Sequence, residues 1–564
     1  MAATGIRAYA NCDDAFVVWR YDERIPDCRG FALYRRLRDK EAEPVRTFVP
    51  FVGETPQPGT SRLSTEWPVQ RFSWTDVMAR NGDFVSYRVV PMVGKAGALH
   101  EAKELTSEWT EEIAVSPDAG GGLSAYFNRG VLATQAIARR LKHEEPWKKE
   151  LTAMITTPGN DTRNYLSGEL RPALLGLLDE VAAAPSAELY AALFELNDPE
   201  LIPALCKLGP RAHVVLANGS GGKEDENAPA RKTLRDADVD VHDRLTGSRL
   251  AHNKFLVLCD KGEPQRVWTG STNWTVTGLC TQLNNAVLID NADVAAYFKT
   301  HWEALVAAGN GFPDSLVMGD DARQSAQLKQ GSIGTWFTPT HGKVDLADAR
   351  ALIQSATQGV LFLMFNPGPK ETLFNDIMDR ADPTSAHYDP DLYVHGVLNQ
   401  DPEAGSDDPA MVGLIHRGQL DQADPDVVLP SKIDKRFSFW AEEINHFSLV
   451  MVHSKVILLD PFGPNPVVIT GSHNLGPRAS SKNDDNLNLI SGAPGLAAAY
   501  ATHIHAVYDN FRWRYVRSQK AAQDGNEWQG PEDLDTWQDS YFSGADAAAK
   551  QRELAFWLGE NAAG

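Results

Sequence analysis

The sequence predicts a multidomain chain, an N-terminal β-sandwich followed by two related α/β halves. Three observations carry this reading. The first 115 residues read as short strands with alternating faces, a turn-rich stretch at 116–122 separates them from the rest, and beyond it the chain repeats its own order of elements. At 564 residues the chain is too long for one core, since domains run to about 100–200 residues each. The expected units are a sandwich over 1–116, a first half over 120–315, a second over 325–515, and a tail over 516–564 packing on the body.

In the first unit, 15–20 alternates Phe16 and Val18 against Val17 and Trp19, and 30–35, 85–91 and 107–115 are further strand candidates with turns between them. Ser116-Pro117-Asp118 and Gly120-Gly121-Gly122 then have the composition of a linker. The two halves open on Ala125-Tyr126-Phe127 and on Thr335-Trp336-Phe337, and each continues with an Ala/Leu-rich helical run. Apolar strands follow at 189–196, ending in Phe194-Glu195, and at 360–365, leading to Asn366; next come 212–216 and 392–398. Strand and helix alternate in both, as in an α/β fold.

Composition narrows the function. The chain is 43% apolar and 23% charged, and it has no apolar run near the roughly 18–20 residues that a spanning helix needs. The first residues lack a basic then apolar leader pattern, so a cytoplasmic location is expected, with non-classical secretion left open. Cysteines at 12, 28, 206, 259 and 280 show no CxxC spacing, so neither a disulfide framework nor a zinc site is indicated. A net charge of −21 argues against general attraction to phosphate backbones.

The chemistry gathers where the repeat is tightest. His252-Asn253-Lys254 with its apolar run matches His453-Ser454-Lys455, and Gly270-Ser271-Thr272-Asn273 matches Gly471-Ser472-His473-Asn474, each pair offset by 201 residues. Alternation along a strand would send His252 and Lys254 to one face, and His453 and Lys455 likewise. The Gly-Ser-x-Asn turns would add the hydroxyls of Ser271 and Ser472 and the amides of Asn273 and Asn474, suited to holding phosphate oxygens. Two such sets would neutralise a phosphodiester and its more highly charged transition state. Eleven residues beyond each Asn stand Asn284 and Asp485.

These blocks resemble the phospholipase D superfamily, whose signature is His-x-Lys-x4-Asp followed by Gly-Ser-x-Asn, present twice. The second copy is complete through Asp460; the first has Cys259 where the signature has Asp, with Asp260 next. The resemblance implies a metal-independent double displacement without cofactor: one histidine forms a phosphohistidine while the other donates a proton to the leaving alcohol. It gives the nucleophile to His252 and the acid/base role to His453, with Asn284 and Asp485 orienting the histidines. The implied substrate is a phospholipid at a membrane or micelle surface, hydrolysed or transphosphatidylated by a monomer. The alternatives are a nuclease or other phosphodiesterase acting on nucleic acid, and a catalytically silent lipid- or protein-binding module. Trp19 and Tyr87 resemble the core landmarks of a fibronectin type III module, which implies a ligand of unknown kind for the sandwich.

Other features have plainer readings. His503 and His505 lack partners at metal-ligand spacing and read as packing residues. Gly219-Ser220-Gly221-Gly222-Lys223 lacks the order of a phosphate loop and reads as a surface loop. The basic stretch Arg139-Arg140-Leu141-Lys142-His143 reads as a solvated helix face.

Overall fold

The computed structural model describes residues 3–560 apart from 55, 57–59, 131–146, 223, 400–412, 417–450 and 525–530. The basic stretch at 139–143 and Lys223 fall outside the described residues. The chain forms two compact units. One comprises 1–117, 462–464 and 511–564; the other comprises 118–461 and 465–510.

In the first unit the strands Gly5–Ala10, Ala15–Arg20 and Ser73–Asp76 form one sheet, and Ile113–Ala114, Phe84–Lys95, Cys28–Leu37 and Glu43–Pro44 lie side by side in another. Only Ile113–Ala114 of the expected strand at 107–115 is extended into a ladder. Trp19 and Tyr87 are both fully buried, and the Tyr87 hydroxyl donates to Asp76 at 3.0 Å. The segment expected as a tail belongs to this unit: Phe16 meets Trp557 of the helix Ala547–Leu558 edge-on at 5.0 Å, and the Trp537 indole donates to the Cys28 carbonyl at 3.0 Å.

Among the described residues the second unit holds two eight-stranded sheets. The first runs, edge to edge, Asp118–Gly120, Leu123–Phe127, Asn285–Asp290, Glu263–Gly270, Lys254–Asp260, Ala187–Leu193, Ala212–Ala217, Asp240–Arg244. The second runs Gln324–Gln327, Ser332–Thr338, Asp485–Ser491, Val467–Gly471, Val456–Leu459, Gly359–Met364, Tyr393–Leu398, Gly413–His416. The connection order is the same in both. They differ at one edge, where Asp240–Arg244 pairs parallel to its neighbour and Gly413–His416 antiparallel. Part of the expected linker is a strand, because Gly120, Gly121 and Gly122 all adopt positive φ and fold Asp118–Gly120 back on Leu123–Phe127.

Sequence chemistry explains the central strands. Lys254–Asp260 is a run of Phe, Leu, Val, Leu and Cys, all buried, as a strand covered on both faces requires. One helix shows how a cover forms. Ala292–Ala308 starts where the Asn291 side chain accepts from the Val294 N–H at 3.0 Å, and ends at Gly309 with φ 57°. Between these, Val294, Ala295, Phe298, His301, Trp302 and Leu305 are buried at helical spacing. Phe298 touches Phe255 of the first sheet and Phe337 of the second, each at 5.0 Å, and burial of such a side chain is worth about 1.5–3 kcal/mol. The later helix, Pro494–Asp524, returns the arrangement: Tyr500 meets Phe127 at 5.1 Å, and His503 stacks on Phe127 at 4.0 Å as His301 stacks on Phe337. No helix among the described residues is long and apolar enough to cross a membrane.

Candidate active site

The histidines are not on the strands. Each lies in a lead-in just before its strand, because it is tied by main-chain bonds to the other sheet's segment. The His252 N–H donates to the Asp484 carbonyl at 2.8 Å, and the His453 N–H donates to the Leu283 carbonyl at 2.9 Å. The returning bonds run from Asp484 to the Leu250 carbonyl at 2.8 Å and from Leu283 to the Met451 carbonyl at 2.7 Å. This exchange brings together residues that are over 160 positions apart in the chain.

Behind each imidazole stands a residue of the other sheet. His252 Nδ1 donates to Asp485 Oδ1 at 2.8 Å, and His453 Nδ1 donates to Asn284 Oδ1 at 2.9 Å. The Asn284 amide has one orientation available, since its Nδ2 donates to the Gly278 carbonyl at 2.8 Å. These bonds fix the plane and the tautomer of each ring.

The serines of the Gly-Ser-x-Asn turns act from behind. The Ser271 hydroxyl donates to Asn284 Oδ1 at 2.7 Å and accepts from the Asn285 N–H at 3.0 Å; Ser472 does the same with Asp485 Oδ1 at 2.7 Å and the Asn486 N–H at 3.0 Å. Both serines are wholly buried. Each hydroxyl thus holds the side chain behind the other half's histidine, Asn284 or Asp485. The glycines before them are required by space. A Cβ on Gly270 would sit 2.3 Å from the Asn285 carbonyl oxygen, and one on Gly471 2.2 Å from that of Asn486.

The lysines are buried as a pair. Lys254 Nζ donates to the His252 carbonyl at 2.6 Å and Lys455 Nζ to the His453 carbonyl at 2.5 Å. Each ammonium also faces an aromatic ring, Phe194 at 5.0 Å and Phe365 at 4.7 Å, the residues that directly follow the equivalent strands. The same rings meet His252 at 4.9 Å and His453 at 4.8 Å. Asn273 donates to Glu195 Oε2 at 2.7 Å, and Asn474 is half-buried.

Burial sets the resting charges. It pushes His252 down to about 4, helped by the charge of Lys254 and opposed by Asp485, and it takes His453 well below its ordinary value, helped by Lys455 and Lys254. Both rings are neutral at neutral pH. Burial would raise the Asp485 carboxyl, but His252 and its hydrogen bond hold it down at about 2, so it is ionised. Both lysines are lowered by burial.

The acids that close the strands Lys254–Asp260 and Val456–Leu459 differ in place and share a task. The Asp460 carboxylate accepts from the N–H groups of Thr357, Gln358 and Gly359 at 2.7–3.1 Å, holding the start of the strand Gly359–Met364. In the first sheet Cys259 is buried, and Asp260 accepts from the Ser186 hydroxyl at 2.6 Å just ahead of Ala187–Leu193. The anchor is shifted by one residue.

No family model matches this chain, and no curated protein matches it. Among solved structures, it is similar to phosphatidylserine synthase of Haemophilus influenzae at 12% identity, over 68% of this chain and 93% of that one, with a TM-score of 0.40. It is also similar to Nuc, a phospholipase D family member of Salmonella typhimurium, at 20% identity over 25% and 90% of the chains, TM-score 0.21. Yeast tyrosyl-DNA phosphodiesterase gives 10% identity over 56% and 86%, TM-score 0.30. All three likenesses are distant. The chemistry rests on the residues themselves.

Several site residues escaped the sequence reading. Asn486 donates to Asn253 Oδ1 at 2.9 Å and accepts from Thr269 at 2.7 Å, while Asn285 donates to Thr470 at 2.9 Å; these bonds join the sheets beside the lysines. The Arg244 guanidinium holds Asp484 at 2.7 and 3.0 Å, and Asn128 Oδ1 accepts from the Asn284 N–H at 2.8 Å. Glu195 and Asn366 had one legible signal, their matched place at the ends of equivalent strands. Among the described residues no group of acids, histidines and cysteines is arranged to hold a metal ion.

Proposed function

We propose that this chain is a phosphodiesterase of the phospholipase D type, acting on phospholipids through a phosphohistidine on His252. The observation that carries the reading is the crossed pair, His252 on Asp485 and His453 on Asn284, with a buried lysine beside each ring. A neutral His252 has Nε2 ready to attack phosphorus, and the ionised Asp485 offsets the positive charge that develops on the ring. His453, backed by a neutral amide, gives up a proton more readily. The negative phosphate entering the site favours protonated His453, which then donates to the leaving alcohol and later takes the proton of water or of an acceptor alcohol. Lys254, Lys455, Asn273 and Asn474 serve the phosphoryl oxygens, with Ser271, Ser472, Asn284 and Asp485 orienting the machinery.

A phospholipid substrate is supported by the net charge of −21, which opposes binding along a polyanion. Matching strand order supports two halves related by a pseudo-twofold axis, and the buried Trp19 and Tyr87 support a fibronectin type III-like sandwich in the first unit. Purified protein in EDTA, given phosphatidylcholine in one tube and single-stranded DNA in another, tests the reading. Choline release with intact DNA is expected. DNA cleavage without choline release would transfer the same machinery to nucleic acid, and activity abolished by EDTA but restored by one divalent ion would end the metal-free mechanism.

A further inference from the structure

The acids of the site are not placed as a simple duplication would place them. Behind the histidines the second half has Asp485 and the first has Asn284; at the ends of the strands Ala187–Leu193 and Gly359–Met364 the first half has Glu195 and the second Asn366. Each half carries one acid and one amide, in exchanged positions. Glu195 Oε2 accepts from Asn273, and no hydrogen bond joins Asn366 to Asn474 among the described residues. In register, Leu193 lies opposite Lys254, so Glu195 follows two residues beyond the strand position paired with Lys254, and the two side chains interact electrostatically.

Two buried ammonium groups repel each other and lack water, so they need counter-charge. For Lys254 and for Lys455 the negative groups that act are the same two, Asp485 and Glu195. The neutral rings of His252 and His453 add none, and Glu226 faces Glu195 as a like charge.

We propose that Glu195 is a positioning residue for the lysine pair: it supplies from the first half the negative charge that position 284 lacks, holding Lys254 and Lys455 as ammonium groups, and it fixes the Asn273 amide. The proposal rests on the phospholipase D-type reading only for its effect on turnover; the charge state of the lysines is independent of it. A neutral lysine would be a poor partner for a transition state that gains negative charge.

The test uses the full chain labelled with [ε-13C]lysine, with the two site signals assigned through Lys254→Met and Lys455→Met. Glu195→Gln is expected to lower the midpoints of both lysine titrations by about one pH unit, and Asn284→Asp added to it to bring at least one back. Asn366→Glu, which adds an acid in the second half, is expected to raise them and serves if Glu195→Gln does not fold. With bis(p-nitrophenyl) phosphate, Glu195→Gln should lower kcat about tenfold at nearly constant KM, with Glu195→Asp retaining more. Unchanged lysine midpoints in both Glu195→Gln and Asn366→Glu would overturn the proposal. Wild-type protein that cleaves no phosphodiester, yet shows the lysine shifts, would overturn the enzymatic reading and leave the role of Glu195 standing.

Discussion

At the scale of single residues, His252 and His453 share a sequence environment and differ in what stands behind them. In the proposed mechanism an ionised Asp485 suits a ring that becomes positive, and a neutral Asn284 suits one that must release a proton. With a p-nitrophenyl phosphodiester, His453→Ala should release p-nitrophenolate and accumulate a stable adduct on His252, while His252→Ala should form none; mass spectrometry after an alkaline quench locates the group, and an adduct on His453 in His252→Ala would reverse the assignment. A second consequence concerns acid. His503, stacked on Phe127, is lowered by burial to about 3 from an ordinary 6.5, and His252 to about 4. Between these values the unfolded chain binds more protons than the folded one, so stability is full above pH 6.5 and falls as pH drops toward 4. Thermal midpoints should decline over that window, and His503→Phe should lessen the decline. An unaltered pH profile in that variant would mean His503 does not carry it.

Elements supply the fixed distances. The turn after Glu263–Gly270 passes so close to Asn285 that only glycine fits, and Gly270→Ala should cost about 1–3 kcal/mol by overpacking, read as a lower urea midpoint. A neutral outcome would mean that the strand Asn285–Asp290 can move away, and the Ser271 to Asn284 bond with it. Lead-in segments also explain why alternation misplaced the histidines. The pattern of His-x-Lys fits a strand face, but cross-sheet main-chain bonds pull His252 and His453 out of their ladders, and the lysines reach back to the histidine carbonyls. The anchor at Asp460 was legible as a signature acid; its replacement by Asp260 in the first sheet was not, because a one-residue shift is decided by where Ser186 lies.

Across the second unit, one buried ion pair ties the sheets. Arg244, at the edge of the first, grips Asp484, whose carbonyl receives the His252 N–H. Arg244→Met should cost about 3–5 kcal/mol by leaving Asp484 buried and uncompensated, and Arg244→Met with Asp484→Leu should recover much of that loss in denaturant titration. Equal losses in the single and double variants would show that the pair is not what links the sheets. Sequence by itself determined the duplication, the alternation of strand and helix, and the six motif residues His252, Lys254, Asn273, His453, Lys455 and Asn474, because these are written as local patterns and as a fixed offset of 201. Tertiary structure alone decided that each histidine takes its partner from the other sheet, that Ser271 and Ser472 donate to Asn284 and Asp485, and that Glu195 receives the Asn273 amide. The physical reason is range: periodicity and spacing report on neighbours a few residues away, whereas a buried hydrogen bond or charge is satisfied by whichever side chain the packed sheets bring within about 3 Å.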